Sequence, residues 1–317
     1  MRVLVTGGTG YLGAAIVREL ASRGHQPVIF ARRASSAGLP GVPIDGDIRD
    51  RGALARAAQA VDAIIHTAAL VSIWREHPRE FDDVNVGGLH NVLAVARAAG
   101  IARVVYTSTF LALPPNGSHG PIEGNDYQRT KQRAREEAVR ALADGSPLVI
   151  LYPGVVYGPG ASTEGNLVGR LLRDHRDGRL PGLVGASRLW SFAYVDDVAS
   201  AHVEAVERPE ARGEYLVGGV NAPQMRLFEV ARALTGTSLP RRIPLAAARA
   251  AGALDELRAR MFGRTPLITR ATVEIFSHDW SMDSSRAMRE LGYHVTSLET
   301  GVASTLAALS QHGHSSA

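Results

Sequence analysis

"VLVTGGTGYLGAAIVREL", residues 3–20, passes from an apolar run of β-branched residues, through Gly7, Gly10 and Gly13, into a segment with helical spacing. A tight strand-to-helix turn needs residues without a Cβ. A helix N-terminus also presents free N–H groups and the positive end of its dipole to an anion. Together these fit the pyrophosphate of a dinucleotide, which must approach the backbone closely. The spacing is Gly-x-x-Gly-x-x-Gly rather than the commoner Gly-x-Gly-x-x-Gly. A mere packing turn would also use glycine, but a strand before and a helix after favour the cofactor reading.

Working outward, "PVIF" (27–30), "DAIIH" (62–66), "ARVVYTS" (102–108) and "PLVILY" (147–152) read as further buried strands. Segments 12–23, 80–99 and 126–143 read as helices. Apolar strands alternating with helices predict an α/β fold, a Rossmann-like doubly wound parallel sheet covered on both faces. After residue 152 the rhythm changes. Segment 153–191 is rich in Gly, Pro and Ser, with one helical stretch near 166–177, and "SFAYVDDVASAHVEAVE" (191–207) restores a strand and a helix, with Asp196 or Asp197 as its N-cap. The expected organisation is a dinucleotide-binding domain of residues 1–158 plus 192–215. A smaller C-terminal substrate lobe takes 159–191 plus 216–317, built of short helices punctuated by Pro240, Pro244, Gly263 and Pro266. "HGHSS" (312–316) reads as a frayed tail.

The 317 residues have a formal charge of only +4, and basic residues are scattered among acids rather than gathered in a stripe. That excludes a nucleic-acid footprint. Cysteine is absent, which removes disulfides, thiolate metal sites and cysteine nucleophiles. No leader pattern and no window of 18 apolar residues occur, so a cytoplasmic protein with no membrane partner is expected. Of 35 Lys and Arg residues, 34 are arginine; Lys131 alone was kept.

That lysine lies in "GNDYQRTKQR" (124–133), where Asn125 or Asp126 can cap a helix with Tyr127 and Lys131 on one face. A phenol is a poor acid-base catalyst at neutral pH. An ammonium nearby would stabilise the phenolate and draw its pKa down. Arginine's planar fork cannot set a compact charge both under a tyrosine and against ribose hydroxyls. Ser108 and Thr109 end a strand at the carboxyl edge of the sheet, where open α/β sheets bind ligands, and offer hydroxyls to a substrate carbonyl. After the second strand the sequence reads Ala31-Arg32-Arg33 instead of an acid, which suits a 2′-phosphate; NADP(H) is preferred, with NAD(H) the alternative. Asp47 in "GDIRD" (46–50) can accept from an adenine amino group or simply form a turn.

With these residues in place, the chain resembles the extended short-chain dehydrogenase/reductases, in particular the dihydroflavonol-reductase-like and 3β-hydroxysteroid-dehydrogenase-like branch. The resemblance rests on "TGGTGYLG", "GDIRD", "HTAA" (66–69), "NVGG" (85–88), "YTST" (106–109), "YQRTK" (127–131), "YPGVVYGPG" (152–160), "YVDDVA" (194–199) and "MDSSRAMRELGY" (282–293). It implies Tyr127 as acid-base catalyst and Lys131 as the residue that lowers its pKa and holds the nicotinamide ribose. Thr109 takes the place of the usual serine, and Ser108 lies beside the nicotinamide. It also implies Thr9, Tyr11 and Leu12 in the turn, Asp47 and Ile48 at adenine, and Ala68, Ala69 and Leu70 along the cofactor. Asn85 is a buried organiser, the backbone of Pro153, Gly154, Val155 and Val156 lies near the carboxamide, and Thr107 and Tyr152 also contribute to the cofactor site. His66 reads as structural. Dimerisation through a helix pair is a further implication.

Nucleotide-sugar epimerases and dehydratases share this scaffold and place an Arg-Asp pair before the "F-x-Y-V-D-D" strand to meet a substrate phosphate. Here Trp190 and Ser191 stand there, and Arg188 precedes the place. The segments expected to wall the pocket are apolar and include Trp74, Phe110, Leu111 and Trp190, which suits a hydrophobic ketone or secondary alcohol. Segment 110–124 reads as a lid without helix. The alternatives are a nucleotide-sugar epimerase or dehydratase and, outside enzymes, an NAD(P)-sensing binding protein.

Overall fold

The computed structural model describes residues 1–122, 124–161 and 163–313. Twelve strands occur among them: β1 (Arg2–Thr6), β2 (Gln26–Ala31), β3 (Val42–Asp45), β4 (Ala63–His66), β5 (Val104–Thr107), β6 (Leu148–Pro153), β7 (Val155–Tyr157), β8 (Leu183–Val184), β9 (Leu189–Tyr194), β10 (Gly213–Val217), β11 (Val220–Pro223) and β12 (Arg242–Ile243). Seven form one parallel sheet in the order β3-β2-β1-β4-β5-β6-β10. The order reverses between β1 and β4. This is the switch point at which the carboxyl ends of a doubly wound sheet leave a crevice for ligands. Every residue of β4 and β6 is buried, which is why their sequences are uninterrupted apolar runs rather than alternating ones.

Helices Tyr11–Ser22 and Val195–Glu207 cover one face of the sheet, and Gly87–Ala98 and Asp126–Ala143 the other. On the first helix, Ile16, Val17 and Leu20 have no exposed surface, and each contributes about 2 kcal/mol by its burial. The segment expected to be one helix over 80–99 is broken: a short turn at Arg79–Phe81 runs into a π-helical turn at Asp82–Val86 before regular helix resumes at Gly87–Ala98. The extra residue in that turn rotates Asn85 inward, a common use of π-turns at functional sites.

Two expectations change beyond residue 153. β9 does not rejoin the large sheet. It sits between β7 and β11 in a three-stranded sheet of its own, and the chain returns to the large sheet only at β10, through helix Val195–Glu207. Strand 155–157, expected within the first domain, therefore pairs outside the sheet of that domain. The passage between sheets occurs at Gly154, where a Cβ would lie 2.5 Å from Ser191 O. Asp196 and Asp197 occupy the first turn of their helix behind the Tyr194 N-cap, and Asp197 instead accepts from Thr296 N (2.7 Å) and Oγ1 (2.9 Å).

Pro244 and Gly263 do not punctuate short helices but bound one of 18 residues, Leu245–Phe262, closed by Gly263 at φ +63°. Proline before the first turn and a left-handed glycine after the last are the usual helix boundaries. The expected tail at 312–316 falls largely on residues 314–317, outside the described residues.

Candidate active site

The glycine turn is built as its spacing requires. Gly7 has φ +70°, and a Cβ there would lie 2.7 Å from the Ala68 backbone; a Cβ on Gly13 would lie 2.2 Å from Gly7 O. Both positions exclude any side chain. Gly7 thus brings the β1 turn against the Thr67–Leu70 loop that follows β4, at the switch point. Gly10 caps helix Tyr11–Ser22 without a side-chain hydrogen bond, so no side chain blocks the first amides from an anion. Thr9 is half-buried beside them, and Leu12 packs on the core. Tyr11 turns inward and donates to Gly158 O (3.0 Å), tying the turn to the chain beyond β7.

At the end of β2, Arg32 and Arg33 are exposed. Asp47 accepts from Arg49 N (2.9 Å), Nε (2.9 Å) and Nη2 (2.7 Å), which holds its carboxyl below the usual range, with Arg32 adding to the effect. Arg49 is thus a third guanidinium at this end, one the sequence reading did not single out. Ile48 is buried, 3.0 Å from where a Cβ on Gly88 would stand. Asn85 is buried, accepts from Leu70 N (2.8 Å), and donates to Leu70 O (3.3 Å) and Thr130 Oγ1 (3.0 Å). It therefore fixes the Ala68–Leu70 loop against the helix that carries Tyr127 and Lys131. This glycine cradle, open helix terminus and pinned loop fit a dinucleotide.

Asn125 caps helix Asp126–Ala143 by accepting from Gln128 N (2.9 Å). Lys131, 3% exposed, donates to Tyr106 Oη (3.0 Å) and Thr107 O (2.8 Å), and lies 4.6 Å from the centre of the Tyr106 ring. No carboxylate is among these partners, and burial lowers its ammonium to about 7. Tyr127 is half-buried on the same helix, with the Thr109 hydroxyl close enough to lower its phenol, but burial prevails and pushes it up to about 12. The expected lowering by Lys131 thus gives way to a rise, since the lysine's protons are directed to Tyr106 and Thr107.

Ser108 Oγ is buried and lacks a hydrogen-bond partner among the described residues. Thr109 Oγ1 accepts weakly from Leu111 N (3.4 Å). Thr107 Oγ1 pairs with His202 Nε2 (2.8 Å), and His66, stacked on Tyr106 with its Nδ1 2.7 Å from Thr6 Oγ1, is pushed down to about 3 by burial and then by Lys131. His66 is therefore neutral.

Tyr106 is the residue the sequence reading missed. Its position two residues from Val104 in a doubly buried strand puts it on the face that helix Asp126–Ala143 covers, and this alternation was the available signal. Tyr152 lies in β6 with its phenol bonded to Glu214 and Arg135, while Pro153 and Gly154 pair with the β10 end and Val155 and Val156 with β9.

Phe110 leads into an aromatic wall: it stands 6.4 Å from Trp190 and 5.3 Å from Trp280, and Trp190 stands 4.6 Å from Phe276. Leu111 packs on the same cluster, and Trp190, 2% exposed, is part of its core. Trp74 is half-buried in a turn held by Ser72, after the Ala68–Leu70 loop. Segment 110–124, in which residue 123 lies outside the described residues, opens with a 3₁₀ turn at Phe110–Ala112. It is clasped by Asn116, which bonds Asp279 O (2.9 Å) and Ser281 N (2.6 Å). Arg188 is drawn to Asp279 (3.5 Å).

A doubly wound sheet with a glycine-cradled helix terminus at its switch point, and a tyrosine, a lysine and a threonine at the same edge, defines a nicotinamide-dependent enzyme of the extended short-chain dehydrogenase/reductase type. The model of the NAD dependent epimerase/dehydratase family matches residues 3–218, and the chain belongs to that family. Its relatives include the sterol demethylase protein B of Methylococcus capsulatus, 34% identical over 99% of both chains. A putative dihydroflavonol 4-reductase of Synechocystis is 30% identical over 98% of this chain and 95% of the other. Among solved structures, gox2253 is 29% identical and superposes with a TM-score of 0.82 over 98% of both chains.

Proposed function

We propose that the protein is an NADP(H)-dependent reductase, or a dehydrogenase in reverse, for a hydrophobic ketone or secondary alcohol of ring size. One observation carries this reading: Tyr127 and Thr109 meet beside Lys131 at an edge that continues into the Phe110, Trp190 and Trp280 wall. The dinucleotide, when bound, supplies the hydride that the carbonyl carbon takes up. Tyr127 gives its phenolic proton to the carbonyl oxygen, and Thr109 orients that oxygen. Burial keeps the phenol protonated in the neutral range, the form that can give a proton to a carbonyl oxygen. Lys131, positioned by Tyr106 and Thr107, holds the ribose. Arg32, Arg33 and Arg49 supply the charge for a 2′-phosphate. The drawing of Arg188 to Asp279 and the presence of Trp190 and Ser191 where a phosphate clamp would stand argue against a nucleotide-sugar substrate.

The test is NADPH and NADH oxidation against steroid, flavonoid, aromatic-ketone and sugar-nucleotide panels. Tyr127→Phe is expected to lose about 10²–10⁴ in kcat while binding cofactor normally. Undiminished turnover would sink the mechanism, and activity confined to sugar nucleotides would sink the substrate class. Arg32→Asp is expected to raise the NADPH KM about tenfold or more and leave NADH turnover standing, since it exchanges a phosphate partner for a repelling carboxylate; an unchanged ratio removes the basis for the NADP(H) preference.

A further inference from the structure

We infer that helix Leu245–Phe262 and the loop after it form a docking surface for an anionic lipid bilayer. The inward side of this helix is small and closely seated: Ala248, Gly252 and Ala259 are buried, and a Cβ on Gly252 would lie 3.0 Å from Arg270 N. Its outward side carries Leu254, Leu257 and Met261, one continuous stripe at helical spacing, 48%, 54% and 65% exposed. Phe262 extends the stripe at the helix end, and Leu267 stands 91% exposed on the neighbouring loop. Among the described residues, half of the ten large exposed apolar side chains thus crowd into residues 254–267. A groove lined by Arg258, Phe262, Arg264 and Leu267 runs between helix and loop.

Charge decides the occupant. Arg258, Arg260 and Arg264 flank the stripe, exposed, and make no ion pair with the described residues. The acids of the helix are already engaged: Asp255, which also lines the groove, accepts from Leu267 N and from Ile268 N (3.2 Å), and Glu256 accepts from Arg270 N (2.7 Å) and Nε (3.0 Å). A second copy laid along the stripe would set arginines against arginines, with no carboxylate free to answer them. An anionic bilayer meets both features, taking the leucines, methionine and phenylalanine into the interface while the arginines reach the headgroups. The composition excluded a membrane partner for lack of a spanning run, and among the described residues no helix is long and apolar enough to cross a membrane. A helix lying in the interface needs no such run.

The placement has a functional corollary. Ala248, on the inward side, packs with Val184, Val273 and Phe276, and Phe276 touches Trp190, the wall beside Phe110. The docking surface is the outer side of the lobe whose inner side faces the site, so an apolar substrate dissolved in lipid would be met at that lobe. The docking argument itself does not depend on the activity proposed above.

The test is flotation of the full chain with vesicles of phosphatidylcholine alone and of phosphatidylcholine mixed with phosphatidylglycerol. Binding is expected on the mixed vesicles only and falls as salt is raised. Arg258→Gln with Arg260→Gln is expected to weaken it roughly thirty-fold, from about fivefold per basic residue near an anionic surface. Leu257→Glu with Met261→Glu is expected to abolish it, with the melting temperature of both variants kept because these side chains are exposed. Equal binding to phosphatidylcholine alone, or no binding to either vesicle, overturns the proposal. So does a change of oligomeric state in the Leu257→Glu, Met261→Glu variant with vesicle binding untouched, which would make the stripe a protein interface.

Discussion

Two basic side chains lie on opposite faces of the same sheet and are treated in opposite ways. Arg23, at the end of the first helix, meets Glu19 (2.8 Å), Glu204 (2.6 Å) and Glu207 (2.9 Å) and donates to Ser200 (2.6 Å); hydrogen bonds to these carboxylates raise its pKa against the cost of partial burial. Lys131 is far more deeply buried, and its hydrogen bonds among the described residues go to a phenol and a carbonyl, with no carboxylate. The first arrangement stabilises the fold and joins helix Tyr11–Ser22 to Val195–Glu207. The second costs stability, since the ammonium is buried with no carboxylate beside it. A composition with one lysine among 35 basic residues makes the contrast sharper, for arginine was evidently adequate wherever the task was structural.

The largest effect is expected from giving Lys131 the chemistry of Arg23. Arginine cannot shed its proton, so Lys131→Arg forces a permanent charge and a bulkier fork into a site without a carboxylate. A loss of about 3 kcal/mol or more in denaturant unfolding is expected, together with loss of turnover. A stable, active variant would erase the distinction drawn between the two sites.

Next comes Lys131→Met, which keeps the apolar stem and removes the charge. The folded-state pKa is lowered from 10.5 to about 7, so between these values the unfolded chain holds a proton that the folded chain does not, and stability rises with pH across that window. Below about 7 the penalty is present in full. The methionine variant should therefore melt above the wild type at and below neutrality, with the difference shrinking toward pH 10.5, while turnover is lost. A pH-independent difference would mean that Lys131 is not the group titrating.

Arg23→Ala should have the smallest effect on function and a moderate one on stability. About 1–3 kcal/mol of unfolding free energy is expected to go, since Glu204 and Glu207 are left facing each other, with kcat and KM unchanged. A fall in kcat would show that the helix pair does more than hold the scaffold.

What the sequence made legible follows the range of the interactions. The glycine turn, the Asn125 cap and the Tyr127 to Lys131 spacing are local, and each is set by residues within a turn or two of one another. The pinning role of Asn85 came from resemblance, but the π-turn that aims it was invisible because hydrophobic spacing over 80–99 fits a plain helix. The β7-β9-β11 sheet was misread because strand type is local and strand pairing is not: "SFAY" reads as a strand whichever sheet it enters. Trp280 and Phe276 joined the wall from some 90 residues beyond Trp190, and nothing near either residue announces that meeting. Lys131 was found for its rarity, and its partner Tyr106 was overlooked inside a motif quoted for its hydroxyls.

The aromatic wall has one more consequence. The chain has three tryptophans, two of them, Trp190 and Trp280, shielded from water around Phe110, and the third, Trp74, half-open in the turn after the Ala68–Leu70 loop. The molecule thus carries its own optical gauges in two separate places. Emission from the shielded pair reports the packing of the aromatic wall, and that from Trp74 reports the turn held by Ser72, without any label.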